Sequence, residues 1–335
     1  LGGFLLGRET ATAPPVVPTK VAALTHSGQD WAPSASPDGK MIAFNSARDG
    51  QPRIWLRQMQ GGIEVPLTDG PGQNPAFSPD GSSVLFLRNE GLVLSAYRVP
   101  IVGGAPRKLL NNVGETCWSP DGDRLAYIDF TEIEGMPSVR INTYDIASGT
   151  SRLLRTFPGE FVRAVRWSPD GRWLTMTTGA TVLNRGNEIQ ILDAETGETV
   201  WSRFEKRQFS GAAWTSDSRS IVIAQSQSLL GDISSSIGEV LQIEPFDGGR
   251  ARTLFWVQSV WAGSGDFDRF DFLDEGRLIF DEILWRGSLS ETALGDGVPD
   301  SEARELTAGY SRDRQPANSP DGTKIVFSSN RRGNS

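Results

Sequence analysis

One histidine, His26, and one cysteine, Cys117, are all that this 335-residue chain brings to the commonest acid–base, nucleophilic and zinc chemistry. A Ser-His-Asp triad needs a histidine base beside an activated serine, and the sequence holds no Gly-x-Ser-x-Gly elbow. His26 therefore reads as a turn residue. One cysteine and one histidine cannot build a zinc site or an internal disulfide. Neither a Walker-type loop nor a dinucleotide glycine fingerprint is present, so no cofactor is expected. The acidic run "GDFDRFDFLDEG" supplies Asp266, Asp268, Asp271 and Asp274, but Phe270 and Asp271 stand where a calcium loop needs an oxygen ligand and then a glycine. These acids read as solvated, and no metal site is expected.

What remains is recognition chemistry rather than catalysis. Asp30 and Trp31, Gln73 and Asn74, Glu115, Phe161 and Arg163, Asp268 and Arg269, and Arg312, Asp313 and Arg314 differ from copy to copy of a repeat, each set just ahead of a repeated turn. Charged, amide and aromatic side chains on loops of a rigid scaffold are where binding is placed. The longer segment "QSQSLLGDISSSIGE" is a second candidate. Trp118, Trp167 and Trp214 recur at one repeat position and read as core.

The repeat itself is a turn followed by an apolar burst: "SASPDGKMIAF", "FSPDGSSVLF", "WSPDGDRLAY", "WSPDGRWLTM" and "NSPDGTKIVF". Asp38, Asp80, Asp121, Asp170, Asp217, a degenerate Asp274 and Asp321 mark seven copies, at intervals mostly near the 40 to 50 residues of a propeller blade. Pro presets one turn dihedral and Gly supplies a conformation other residues resist. After the turn come Ile42, Ala43 and Phe44, or Leu125, Ala126 and Tyr127, apolar on both alternating faces, so the strand is covered on both sides. Two further runs, such as "RIWLRQM" and "VPLTDG", complete four short strands per unit. A sheet greasy front and back needs a neighbour on each side, which a ring provides.

The fold expected is thus all-β, a propeller of four-stranded antiparallel blades. Strand bookkeeping favours seven: "VAALTHS" at 21 to 27 reads as a lone fourth strand that would complete the last, unfinished unit. Six is the alternative, should the unit around Asp274 be an elaborated loop. Because the last unit stops short of a third strand, the chain reads as a fragment.

Residues 1–8 read as the stub of a membrane or signal segment, 9–20 as a Pro/Ala/Thr linker, and 21–335 as the propeller. The seven residues before Arg8 are too few for a bilayer span of about 20. With a net charge of −8 and no basic face, nucleic acid is not an expected partner, and contact with a membrane would run through the N-terminal anchor alone.

The aromatic-Ser-Pro-Asp-Gly turn, the Ile-Ala-Phe after it, the Arg-Asp-Gly hairpin and the Ile-Trp run ahead of a Gly-Gly resemble the bacterial TolB-type, WD-repeat-like propeller repeat over nearly all of residues 21 to 335. The resemblance implies an architecture, not an activity. Propellers of this kind serve as the periplasmic TolB protein, as gates ahead of the hydrolase in prolyl-oligopeptidase-like peptidases, and as sensor halves of membrane-anchored kinases or winged-helix regulators. An apolar stub, a Pro-rich spacer and then "LTHSGQDWAPSASPDGKMIAF" is the order of the last group. The resemblance thus implies a non-catalytic, extracytoplasmic binding or sensor propeller for a protein, peptide or small ligand. Its alternative is a peptidase gate whose hydrolase lies beyond residue 335.

Overall fold

The computed structural model describes residues 22–91, 93–179, 188–205, 209–226, 237–258, 270–274, 276–281, 290–291, 304–306, 313–320 and 324–329. The expected stub, and the linker with it, lie outside these residues. The chain divides into two compact units, Leu1–Asp281 and Glu282–Ser335.

In the first unit five antiparallel sheets follow one another as simple meanders. They are β1 (Asp30–Ala35), β2 (Met41–Ser46), β3 (Arg53–Gln58) and β4 (Glu64–Pro66); β5 (Gln73–Phe77), β6 (Ser83–Glu90), β7 (Val93–Pro100) and β8 (Arg107–Asn111); and β9 (Thr116–Trp118), β10 (Arg124–Ile133), β11 (Met136–Asp145) and β12 (Thr150–Pro158). The fourth and fifth are β13 (Phe161–Trp167), β14 (Trp173–Gly179), β15 (Glu188–Asp193) and β16 (Thr199–Phe204), then β17 (Phe209–Trp214), β18 (Ile221–Ser226), β19 (Ile237–Glu244) and β20 (Arg250–Gln258). A sixth position is held by the hairpin β21 (Phe270–Asp274) and β22 (Arg277–Phe280). The second unit contains the pairs β23 (Ser290–Glu291) with β24 (Arg304–Glu305) and β25 (Asp313–Asn318) with β26 (Ile325–Ser329).

In the first unit the doubly apolar strand after each turn works as expected, because its two faces enter two different seams, whereas in β26 of the second unit Ile325 and Val326 are exposed. Ala43 of the first blade packs with Phe77, Val84 and Phe86 of the second, while its neighbours Ile42 and Phe44 pack with Leu273 and Ile279 of the sixth. Six buried clusters occupy six seams: first with second, second with third, third with fourth, fourth with fifth, fifth with sixth, and sixth with first. The first strands β1, β5, β9, β13, β17 and β21 form a closed circuit about the axis.

The ring of the first unit therefore has six positions, not the favoured seven. The sixth blade meets the first through contacts that repeat at other seams. Pro37 lies against Gly81 of the next turn, Pro79 against Gly122 and Pro120 against Gly171; Leu273, in the proline's place, lies against Gly39 of the first blade. Likewise the residue after the second-strand aromatic accepts a backbone N–H from the next blade, Asn45 Oδ1 from Asn74 (2.9 Å) and Asp281 Oδ2 from Ala32 (3.0 Å). No position is left between β21 and β1 for a blade closed by the N terminus. Residues 22–27 form no strand; Leu24 instead packs its side chain on the seam between the sixth and first blades. The unit around Asp274 is itself a blade position and not an elaborated loop, so the count of six arises differently from the alternative expected.

The first five turns share one chemistry, which the sixth, with Phe272 in the serine's place, lacks. Ser36 Oγ donates to Asp38 Oδ1 (2.7 Å) and accepts the N–H of Met41 (2.9 Å), and Lys40 N–H donates to Asp38 Oδ1 (3.1 Å). Ser119 and Asp121, Ser168 and Asp170, and Thr215 and Asp217 repeat the serine- or threonine-to-aspartate bond. These side-chain acceptors satisfy turn donors that a bare loop would leave to water.

Candidate functional site

The turns gather at one end of the ring. The opposite end carries the starts of the inner strands, and there the described candidates collect: Asp30 and Trp31 open β1, Gln73 and Asn74 open β5, Glu115 precedes β9, and Phe161 and Arg163 open β13. Asp268, Arg269 and Arg312 lie outside the described residues. Asp313 and Arg314 open β25 in the second unit, which is described by itself.

A β-bulge shapes this mouth. Pairing skips between Trp31 and Ser34, Gln73 and Ala76, Arg163 and Arg166, and Ser210 and Ala213. The residue inside each bulge takes the left-handed conformation, at Ala32 (φ 51°), Asn74 (φ 57°), Ala164 (φ 55°) and Gly211 (φ 57°). An extra residue re-aims the strand and frees backbone donors, and side chains of the preceding blade take them. Asn45 and Asp281 serve Asn74 and Ala32, and Glu115 Oε2 accepts the N–H of Val165 (3.1 Å).

Several candidates thus have structural duties. Burial would push the Asp30 carboxyl up, but hydrogen bonds from Ser46 and Arg48 outweigh it and hold it low. Arg48 bridges Asp30 (2.8 Å) to Glu64, which also binds Arg57 (2.6 Å), and its guanidinium lies over Trp55. Asp30 anchors a chain of ion pairs across the first blade. Asn74 is buried, and its Oδ1 accepts no hydrogen bond among the described residues. Trp31, Gln73, Phe161 and Arg163 are half-buried, forming a rim that probes the mouth.

Below the rim lies a floor that the sequence reading missed. The strand position just before the turn aromatic, or its equivalent by register, is Ser34, Ala76, Cys117, Arg166, Ala213 and Asp271 around the ring. Four are small; two carry opposite charges. Asp271 Oδ2 accepts from Ala35 N–H (2.9 Å) and Ser34 Oγ (3.2 Å), and Ser34 Oγ accepts from Phe77 N–H (3.2 Å), so one polar chain ties blades six, one and two. Burial pushes the Asp271 carboxyl up, against the N–H donors of Ala35 and Phe272 and the field of Arg166. In the order of the ring, blade five separates the blade of Arg166 from that of Asp271. Arg166 also reaches back to Glu115 Oε2, 3.8 Å away. In the sequence only Arg166 departs from small residues at this repeat position as a polar residue; Asp271 takes it by strand register, where alignment on Asp274 would give Phe270.

Comparison with known proteins agrees with this geometry. The family described as WD domain, G-beta repeat, matches residues 151–181. The chain is 33% identical over 128 residues to the uncharacterized protein Atu1656 of Agrobacterium fabrum, covering 33% of this chain and 44% of that one. It is 31% identical over 105 residues to the uncharacterized peptidase YuxL of Bacillus subtilis, covering 28% of this chain and 16% of that one. Among solved structures, putative TolB from Agrobacterium tumefaciens superposes with a TM-score of 0.56 at 21% identity, over 72% of this chain and 85% of that chain.

The fold is a TolB-type, WD-repeat-like β-propeller. In this TolB-type propeller one end carries interlocked turns of largely shared pattern and the other differs from blade to blade. The aligned stretches span less than half the length of the curated relatives.

Proposed function

We propose that this TolB-type propeller is a non-catalytic binding or sensor module, working outside the cytoplasm, that offers the mouth formed by the inner-strand starts to a protein or peptide, or to a small ligand. The observation that carries this reading is the asymmetry of the two ends. The turns at one end largely repeat one hydrogen-bonded pattern that needs no function beyond packing, whereas the other presents half-buried Trp31, Gln73, Phe161 and Arg163 above Arg166 and Asp271. Half-buried aromatic and arginine side chains at a concave mouth are the composition of recognition sites. Signal transfer would run through the spacer at residues 9–20 to a membrane-anchored kinase or winged-helix regulator.

The similarity to the YuxL peptidase supports a second reading, a propeller that gates a hydrolase. A nucleophile elbow followed by Asp and His downstream of residue 335 in the full reading frame is the result it requires; further blades or a stop codon would remove it. The first reading is tested by tryptophan-fluorescence titration of the full chain with triglutamate, trilysine and trialanine. A saturable response to at least one peptide, abolished in the Trp31→Ala/Phe161→Ala double variant, is expected. An unchanged affinity in that variant eliminates this mouth.

A further inference from the structure

Blade four differs from its neighbours in a way that specifies ligand chemistry, given the mouth proposed above. Arg163 pairs with Thr177 and Arg166 with Thr175. Partners two residues apart lie on one face of a strand, so the bulge at Ala164 puts both arginines on the same face of β13, one at the rim and one at the floor. The same two positions hold Trp31 and Ser34 in blade one and Gln73 and Ala76 in blade two.

Arg166 is three-quarters or more buried along its side chain, at 17% exposure. A guanidinium in such a place ordinarily forms a bidentate pair with a carboxylate. Among the described residues this one donates a single hydrogen bond, from one terminal nitrogen to the carbonyl of Val165 (2.7 Å). Its nearest acid, Glu115, stays at 3.8 Å because Oε2 is held by the Val165 N–H. Asp271 is likewise occupied, by Ala35, Ser34 and Phe272. The two acids offset the arginine's charge from a distance while leaving most of its five N–H donors without a carboxylate partner.

We infer that Arg166, with Arg163 above it, is a carboxylate-recognition ladder, and that the mouth takes the acidic side chain or C-terminal carboxylate of a peptide segment. Half-buried Trp31 and Phe161 on the rim provide stacking surfaces for the rest of such a segment.

The test titrates the full chain with triglutamate, with trilysine and with citrate as a free small carboxylate. Triglutamate is expected to bind, trilysine not, and citrate more weakly than triglutamate. Arg166→Ala is expected to weaken triglutamate binding about tenfold or more, and Arg166→Lys to restore part of it, since the charge returns without the fork. Affinity should also fall with added salt. Urea midpoints of each variant, together with Arg166→Gln, which keeps much of the bulk, separate lost binding from lost folding. Triglutamate affinity unchanged in both Arg166→Ala and Arg166→Gln, equal binding of trilysine, citrate binding as tightly as triglutamate, or no saturable response to triglutamate overturns the inference. Peptide binding that survives those variants but disappears in Trp31→Ala/Phe161→Ala overturns the ladder while leaving the mouth in place.

Discussion

Gly39 and Gly81 occupy the same turn position with nearly the same φ, +66° and +69°, yet they are not equivalent. A Cβ on Gly81 would meet Pro37 at 3.6 Å, an ordinary contact, whereas on Gly39 it would lie 2.5 Å from the backbone oxygen of Leu273. Gly81→Ala should cost only the left-handed penalty of about 1–2 kcal/mol. Gly39→Ala should cost about twice that or more, because a backbone carbonyl must move; urea unfolding of the two variants measures the difference. Ser218 stands in this glycine's place in the fifth turn with φ 59°. Its Oγ accepts the N–H of Asp170 from the neighbouring turn (3.0 Å), a hydrogen bond that offsets some of the conformational cost. The turn acids set a pH dependence. A hydrogen bond from Ser36, then the N–H of Lys40, hold Asp38 at about 2, and Ser78 and Ser82 hold Asp80 at about 2, against an ordinary value of 3.8. A carboxyl lower in the folded state than in the unfolded one contributes stability that is complete above 3.8 and is lost as pH falls through about 2. Urea midpoints should therefore drop between about pH 4 and pH 2, with a shallower drop in Asp80→Asn.

At the scale of the element, the bulged inner strand matters most. A flat strand would alternate its side chains between the seams without interruption; the left-handed residue at 32, 74, 164 or 211 resets the alternation and turns backbone donors toward the preceding blade. Alanine is an unusual choice for positive φ, and a β-branched residue there is a genuine outlier. Ala164→Val should cost about 2 kcal/mol or more, from φ strain together with overpacking beside buried Val165. The same variant should weaken triglutamate binding, because the common face of Arg163 and Arg166 depends on the bulge; Arg163→Ala should weaken it as well.

For the whole molecule, the seam between the sixth and first blades decides closure. It rests on the cluster of Ala35, Ile42, Phe44, Trp55, Leu273 and Ile279, and on two carboxylates that accept backbone donors of β1. Asp271→Ala leaves the Ala35 N–H and the Ser34 hydroxyl without their acceptor, at about 1–3 kcal/mol for each buried group left unpaired. Asp271→Asn keeps an oxygen at the site and should lose less. Since burial raises the Asp271 carboxyl, holding it charged costs stability above its folded value and the cost is relieved as pH falls through it, the reverse of the turn acids. The deficit of Asp271→Asn relative to the parent chain should therefore be smaller at neutral pH than near pH 4, read as the difference in urea midpoints.

The repeated turn and the doubly apolar strand determined the architecture by themselves: each Ser-Pro-Asp-Gly copy is a local device whose serine, aspartate and glycine act within six residues, and Ile42-Ala43-Phe44 declares two covered faces. Local pattern also placed Asp30, Gln73, Glu115 and Phe161 at one end of the inner strands. The number of blades was not local. It depended on whether Leu273 meets Gly39, a contact between residues more than two hundred positions apart, and seven marked turns could not announce that six would close the circle. The floor was hidden for the same reason. Arg166 and Asp271 look like ordinary polar residues in their own strands, and only the ring brings the two within each other's electrostatic reach.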